Sequence, residues 1–304
     1  MHFDLQAHRG GLALTVENTL AAFERALAVG VSTLEFDVQV TADGRAVIAH
    51  DADHGGHRIR DLTLAEARSL DVGSVRDPRH PEQALAPGAR MPLLSEVADL
   101  LRAVAADTVR CNVELKVAVT RPGTSADAAE FVDVVLAELD AAGILGCSTI
   151  QSFDWAALRR VSDVAPEVAT YVLSHEDRLE VGRRGASPWL GGLDIDDFAG
   201  SVQHKYVAAA ASIGAAAVSP VHGTYADGPG GRSHVPFTTA ELVEAAHEQG
   251  LLVVPYTVND AALMAWLIGL GVDGFITDHP DRARDVMDAH GLELPPAYVR
   301  SPPA

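Results

Sequence analysis

Aromatic residues are scarce, at 5% of the chain, and there are only two cysteines, Cys111 and Cys147, with no metal-ligand spacing between them. The two thiols therefore read as small buried apolar residues rather than as a metal or disulfide framework. No stretch of about 18 apolar residues occurs, and the Ala-rich run near 207–218 is too short and is interrupted, so no stable membrane insertion is expected. Positive charge is also in deficit. The formal net charge of −19 argues against nucleic acid as partner and against adhesion to anionic membranes, both of which select basic faces. A small anionic substrate remains compatible, because local cations and a metal can override the global field. The segment Met1-His2-Phe3-Asp4 lacks a basic stretch followed by an apolar run, so no secretion signal is read and a cytoplasmic protein is the default expectation. Nothing in the sequence fixes an oligomeric state.

Hydrophobic residues are plentiful, at 48% of 304 positions, enough for a substantial core. Short runs rich in β-branched residues alternate with longer helical patterns. The expected strands are Phe3–His8, Thr33–Val38, Arg110–Lys116, Ser148–Phe153, Val168–Leu173, Ala215–Ser219, Leu251–Val258 and Gly274–Thr277. Eight such runs, mostly followed by helices, predict a TIM (β/α)8 barrel. We expect residues 1–304 to form one domain of this type, with 51–91 as a small insertion after the second strand, over the mouth. Residues 174–214 read as a long, partly helical connection, 222–236 as a mobile Gly/Pro-rich loop on the catalytic side, and the tail after Leu294 as loosely held. Helix ends are legible: Asn18 is expected to cap Thr19–Val29, Thr63 with Glu66 to begin a short helix, Asp127 with Glu130 and Thr238 with Glu241 to form capping boxes, and Asp154 and Asp260 to act as further caps.

Side chains two apart on a strand share a face. Glu35 and Asp37 therefore point together into the barrel, as do Glu114 and Lys116, while Phe36, Val38, Val113 and Leu115 face the helices. Three carboxylates converging on one place repel one another unless a cation lies among them. An all-oxygen set favours a hard ion, Mg2+ or Ca2+, over zinc. Asp43-Gly44 is a hairpin signal. With those two residues as the loop, His50 falls directly opposite Asp37 and on its face, whereas a one-residue slip turns it away. His8 ends the first strand, and Arg9 beside Gly10-Gly11 offers a planar fork for a phosphate or carboxylate. The other histidines carry no assigned chemistry, and Asp194, Asp196 and Asp197 read as a solvated acidic turn.

The strings His8-Arg9-Gly10, Glu17-Asn18-Thr19, Glu35-Phe36-Asp37-Val38, His50-Asp51, Val113-Glu114-Leu115-Lys116, Gln151-Ser152-Phe153-Asp154, Thr257-Val258-Asn259 and Gly271–Asp278 follow in order over nearly the whole chain. This ordered set resembles the signature of glycerophosphodiester phosphodiesterases. The resemblance implies a TIM barrel with a small insertion and one divalent cation on Glu35, Asp37 and Glu114. It further implies His8 and His50 as acid–base pair, and Arg9 and Lys116 as phosphate-holding cations. Tyr256 departs from the tryptophan often found there in the family, and the insertion is abbreviated after Asp51. The implied reaction is hydrolysis of a small-molecule glycerophosphodiester to glycerol 3-phosphate and an alcohol. Which histidine is the acid, and whether water attacks directly or a cyclic phosphate forms first, are left open. Two rivals remain: a barrel phosphodiesterase acting on phospholipids or lysophospholipids, which needs a broad apolar approach, and a non-catalytic glycerophosphodiester-binding protein, which has no use for both histidines.

Overall fold

The alternating apolar runs cannot bury both faces alone, so each strand takes its outer cover from the helix that follows it. The computed structural model describes residues 2–185, 187–226 and 233–300. Its strands are β1 (Asp4–Ala7), β2 (Thr33–Val40), β3 (Ala46–Ile48), β4 (Asp53–His54), β5 (His57–Arg58), β6 (Arg110–Leu115), β7 (Ser148–Ser152), β8 (Thr170–Ser174), β9 (Ala217–Pro220), β10 (Gly223–Tyr225), β11 (His234–Pro236), β12 (Leu252–Val253) and β13 (Gly274–Thr277). The helices are α1 (Leu20–Val29), α2 (Leu64–Ala67), α3 (Leu94–Ala103), α4 (Ala128–Ala142), α5 (Trp155–Val164), α6 (Glu176–Leu179), α7 (Val202–Ser212), α8 (Ala240–Glu248), α9 (Ala261–Leu270) and α10 (Pro280–Ala289).

Eight parallel strands run in the order β12-β9-β8-β7-β6-β2-β1-β13. The two ends approach each other, with Asp273 N donating to Val253 O at 3.0 Å and Ile276 N to Pro255 O at 2.9 Å. The result is the expected TIM (β/α)8 barrel, nearly closed. Phe36 lies on the outer face of β2 and packs against Phe23 of α1, ring centroids 5.5 Å apart. The inner face is divided. Gln6, Asn112 and Gln151 form a buried hydrogen-bonded ladder on one side, while Tyr171, Ala217, Val254 and Ile276 form an apolar cluster on the other. Among the described residues, no helix is long and apolar enough to cross a membrane.

Residues 51–91 carry the β4–β5 hairpin and α2. Ile59, Ala67 and Met91 of this segment form an apolar cluster with Val47 of β3, separate from the main core. The segment returns to the barrel mouth where Ala84 N donates to Leu14 O at 2.9 Å and Val16 N to Ala84 O at 3.0 Å. The 174–214 connection is partly helical, with α6 and α7.

Two helix caps differ from those expected. Thr19, not Asn18, caps α1, its hydroxyl accepting from Ala22 N, because the Asn18 side chain is engaged by Asp37. Thr239, not Thr238, caps α8, since the Thr238 hydroxyl donates to Val221 O. The ends of the 222–236 stretch pair as the antiparallel hairpin β10–β11; its middle, 227–232, lies outside the described residues, as do residues 301–304 of the tail.

Candidate active site

The acidic cluster follows from strand register. Asp37 of β2 pairs with Glu114 of β6, and Glu35 with Asn112 one pleat below. Oxygens of Glu35, Asp37 and Glu114 all lie within 4.8 Å of one another, and all three residues are buried. Each carboxylate is held by fixed donors. Glu35 accepts from Arg9 N at 2.8 Å and from Gln151 Nε2 at 2.7 Å. Asp37 accepts from Asn18 Nδ2 at 2.9 Å, with Arg9 Nε 3.1 Å away. Glu114 accepts from Lys116 Nζ at 2.7 Å.

Burial raises the proton affinity of Glu35 and Asp37 alike, and their different charged neighbours drive the two apart. Glu35 is pushed well above the usual carboxylate range by burial and then by the neighbouring Asp37 and Glu114. Burial acts on Asp37 in the same direction but is outweighed by Lys116 and Arg9, which hold it far below that range. Asp37 Oδ1 accepts no hydrogen bond, and Lys116 Nζ stands 3.4 Å from it. A buried oxygen without a hydrogen bond, beside two more carboxylates, is the donor set of a hard divalent cation. The residues fit such an ion.

His8 and Arg9 sit on a single 3-10 turn after β1, where Arg9 takes φ 51° and Gly10 φ 81°. Glycine is required at position 10, since a Cβ would lie 2.8 Å from Phe23 Cδ1. The turn aims the Arg9 amide at Glu35 and leaves the guanidinium spanning Asp37 and Glu17, the latter at 2.9 Å. His8 Nδ1 lies 2.5 Å from Asp278 Oδ1, and Asn259 Nδ2 donates to Asp278 Oδ2 at 2.6 Å. Burial opposes ionisation of Asp278, but His8 and Asn259 outweigh it and bring its carboxyl down to about 2. With Nδ1 facing a carboxylate, Nε2 is the nitrogen free for proton transfer.

His50 arrives by a different route from the expected one. β2 and β3 pair Val38 with Ile48 and Val40 with Ala46, so Ala49, not His50, lies opposite Asp37. The loop has three residues, not two: Thr41 N donates to Arg45 O at 2.9 Å, and Gly44 takes φ 70°. The slip does not expel His50, because β3 ends at Ile48 and the chain leaves the ladder. Gln39 Nε2 holds His50 O at 3.0 Å, and Asp51 Oδ1 lies 2.7 Å from His50 Nδ1. That hydrogen bond lowers the Asp51 carboxyl.

His8, Arg9, Glu35, His50, Glu114 and Lys116 all line one cavity of about 160 Å³. Asp37 is fully buried beneath it. Phe153, Leu173, Tyr256 and Ile276 line the same cavity, with Phe153 and Tyr256 in edge contact at 5.7 Å. Arg9 and His50 also border a larger cleft of about 600 Å³ beneath the insertion, lined by Leu12, Val16, Val72, Met91, Arg76 and Arg79 among others.

The sequence reading gave no orienting role to Gln151, Asp51 and Asp278; it took Asn18 only as a helix cap, and Asn259 as either a ligand contact or the residue before a cap. For Asp278 a signal existed, since it falls two positions beyond the inward-facing Ile276. For Asn18 there was none, because capping chemistry explained it equally well.

A family model described as the glycerophosphoryl diester phosphodiesterase family matches residues 8–282. A glycerophosphodiester phosphodiesterase of Bacillus subtilis is 28% identical, over 90% of this chain and 83% of that protein. A crystal structure from Silicibacter pomeroyi DSS-3 superimposes with TM-score 0.78 at 30% identity, covering 96% of this chain and 95% of the other. An Oleispira antarctica phosphodiesterase, solved in complex with its product sn-glycerol-3-phosphate, shares the fold at TM-score 0.69 and 21% identity, covering 94% and 96%.

Proposed function

The chain belongs to the glycerophosphoryl diester phosphodiesterase family and is an enzyme of that kind, and from that premise we propose metal-dependent hydrolysis of a small glycerophosphodiester to glycerol 3-phosphate and an alcohol, with His8 and His50 exchanging the protons. The observation that carries the proposal is the union, around one cavity, of a buried triad of carboxylates and two imidazoles each braced by its own aspartate.

Glu35, Asp37 and Glu114 would hold one Mg2+ or Ca2+. When bound, such an ion supplies Lewis-acid polarisation of a phosphoryl oxygen and a template for the diester. Arg9 offers its guanidinium fork to the phosphate while its backbone amide fixes Glu35. Lys116 has three ammonium protons; its contacts with Glu114 and Asp37 at 2.7 and 3.4 Å leave one donor for a phosphate oxygen. Charge that grows on the phosphate would meet these cations in a partly dehydrated cavity. One imidazole takes the proton of the attacking oxygen and the other protonates the departing alkoxide. Asp278 and Asp51 fix the ring orientation of His8 and His50. We take residues 1–304 as one barrel with 51–91 inserted, working on a soluble diester in the cytoplasm.

The test is cleavage of glycerophosphocholine followed by release of glycerol 3-phosphate. Turnover should vanish with EDTA, return with Mg2+ or Ca2+, and vanish again in His8→Ala and His50→Ala while the fold persists. Full activity in either variant removes that histidine from the acid–base pair.

A further inference from the structure

The insertion contributes one imidazole to the polar chain behind His8. Residues 76–84 are firmly tied: Arg76 Nε donates to Gln83 O at 2.9 Å, and Gln83 Nε2 donates to Leu12 O at 2.5 Å. Gln83 is buried, and the loop it grips, 12–16, follows directly on the His8–Gly11 turn. Backbone bonds from His80 N to Asp77 O and from Gln83 N to His80 O close the tip.

This folding turns the His80 ring inward. Its side chain is 13% exposed, and Nε2 stands 3.9 Å from Asp278 Oδ2. Its ring meets His279 edge-on at 5.7 Å. Asp278 thus has His8 on one oxygen, and Asn259 with His80 on the other. An imidazole shielded this far beside a buried carboxylate is costly unless it interacts with it. An apolar side chain would fill the same space without that cost.

We propose that His80 is a positioning residue for the acid–base pair: delivered by the insertion, it steadies the Asp278 carboxylate that orients His8, so that docking of residues 76–84 and competence of His8 are coupled. The inference rests on the assignment of His8 as an acid–base group. Arg79 is a further charged group near Asp278 and Asp77 one near His80, with Arg9 in turn near Arg79, and Arg282 and Asp281 lie near His279.

A double-mutant cycle on the full chain tests it. Initial rates with glycerophosphocholine are measured for the parent, His80→Gln, Asp278→Asn, the double variant and His8→Ala, with thermal unfolding of each. His80→Gln should lower kcat about fivefold with KM little changed, and should cause no further loss in the Asp278→Asn background. Losses that multiply in the double variant overturn the proposal, because a loop anchor would act independently of Asp278. An unchanged kcat in His80→Gln, with His8→Ala inactive, overturns this inference alone. An active His8→Ala overturns the assignment of His8 and this inference with it. His80→Asn is the second substitution; failure of both to fold makes His80 a packing residue and also overturns it.

Discussion

Removing the Asn18 carboxamide asks whether the acidic cluster is held by a fixed neutral donor. Asn18 is 4% exposed and Asp37 0%, joined by a hydrogen bond of 2.9 Å. A hydrogen bond to a buried charge contributes about 1.5–3 kcal/mol. Asn18 also sits at φ 54°, which asparagine tolerates and which costs other side chains with a Cβ about 1–2 kcal/mol. Asn18→Gly removes the donor without that strain and should destabilise by about 2 kcal/mol, whereas Asn18→Ala adds the strain and should lose about 3 kcal/mol or more. Urea unfolding followed by circular dichroism reads both values, with the denaturant slope unchanged between variants. A glycine variant within about 0.5 kcal/mol of the parent, the scatter of ordinary surface substitutions, would refute the reasoning. So would an alanine variant as stable as the glycine one.

Gly10→Ala should lose stability and turnover together, because a Cβ there lies 2.8 Å from Phe23 Cδ1 and 2.9 Å from Ala22 Cβ on a backbone with φ 81°; melting temperature and rate measured on one preparation check this. The Asp278 carboxyl, brought to about 2 in the fold, titrates near 3.9 when unfolded. Its folded value is the lower one, so its contribution of roughly 2–3 kcal/mol is complete above about pH 5 and is lost as pH falls through 2. Asp278→Asn should flatten the acid arm of the stability profile over that window. Gln151→Leu should weaken metal retention more than it weakens folding, since it removes the 2.7 Å donor to Glu35 Oε1 while filling similar space; equal losses in both would contradict this.

The barrel and most of the site could be read in the chain because both depend on strict alternation. The parity that sends Phe36 and Val38 to the helices sends Glu35 and Asp37 inward, and parallel pairing then sets Asp37 beside Glu114. The hairpin register could not be read so simply. Asp43-Gly44 suits a two-residue loop and equally the third position of a three-residue one, and only the ladder distinguishes them. His50 reaches the cavity from beyond the end of β3, outside any parity rule. The acidic turn at Asp194, Asp196 and Asp197 is held by ion pairs with Arg184 and Lys205, partners that no local pattern announces. The same holds for His80 and Asp278, which are brought together by a loop crossing over the barrel mouth.

Calorimetric titration of Mg2+ or Ca2+ into the metal-stripped protein tests the central claim most directly. The account predicts one ion per chain in the parent, and loss of that binding in Glu35→Gln and Glu114→Gln variants that still unfold cooperatively. No binding to the parent, or undiminished binding to both variants, would contradict it.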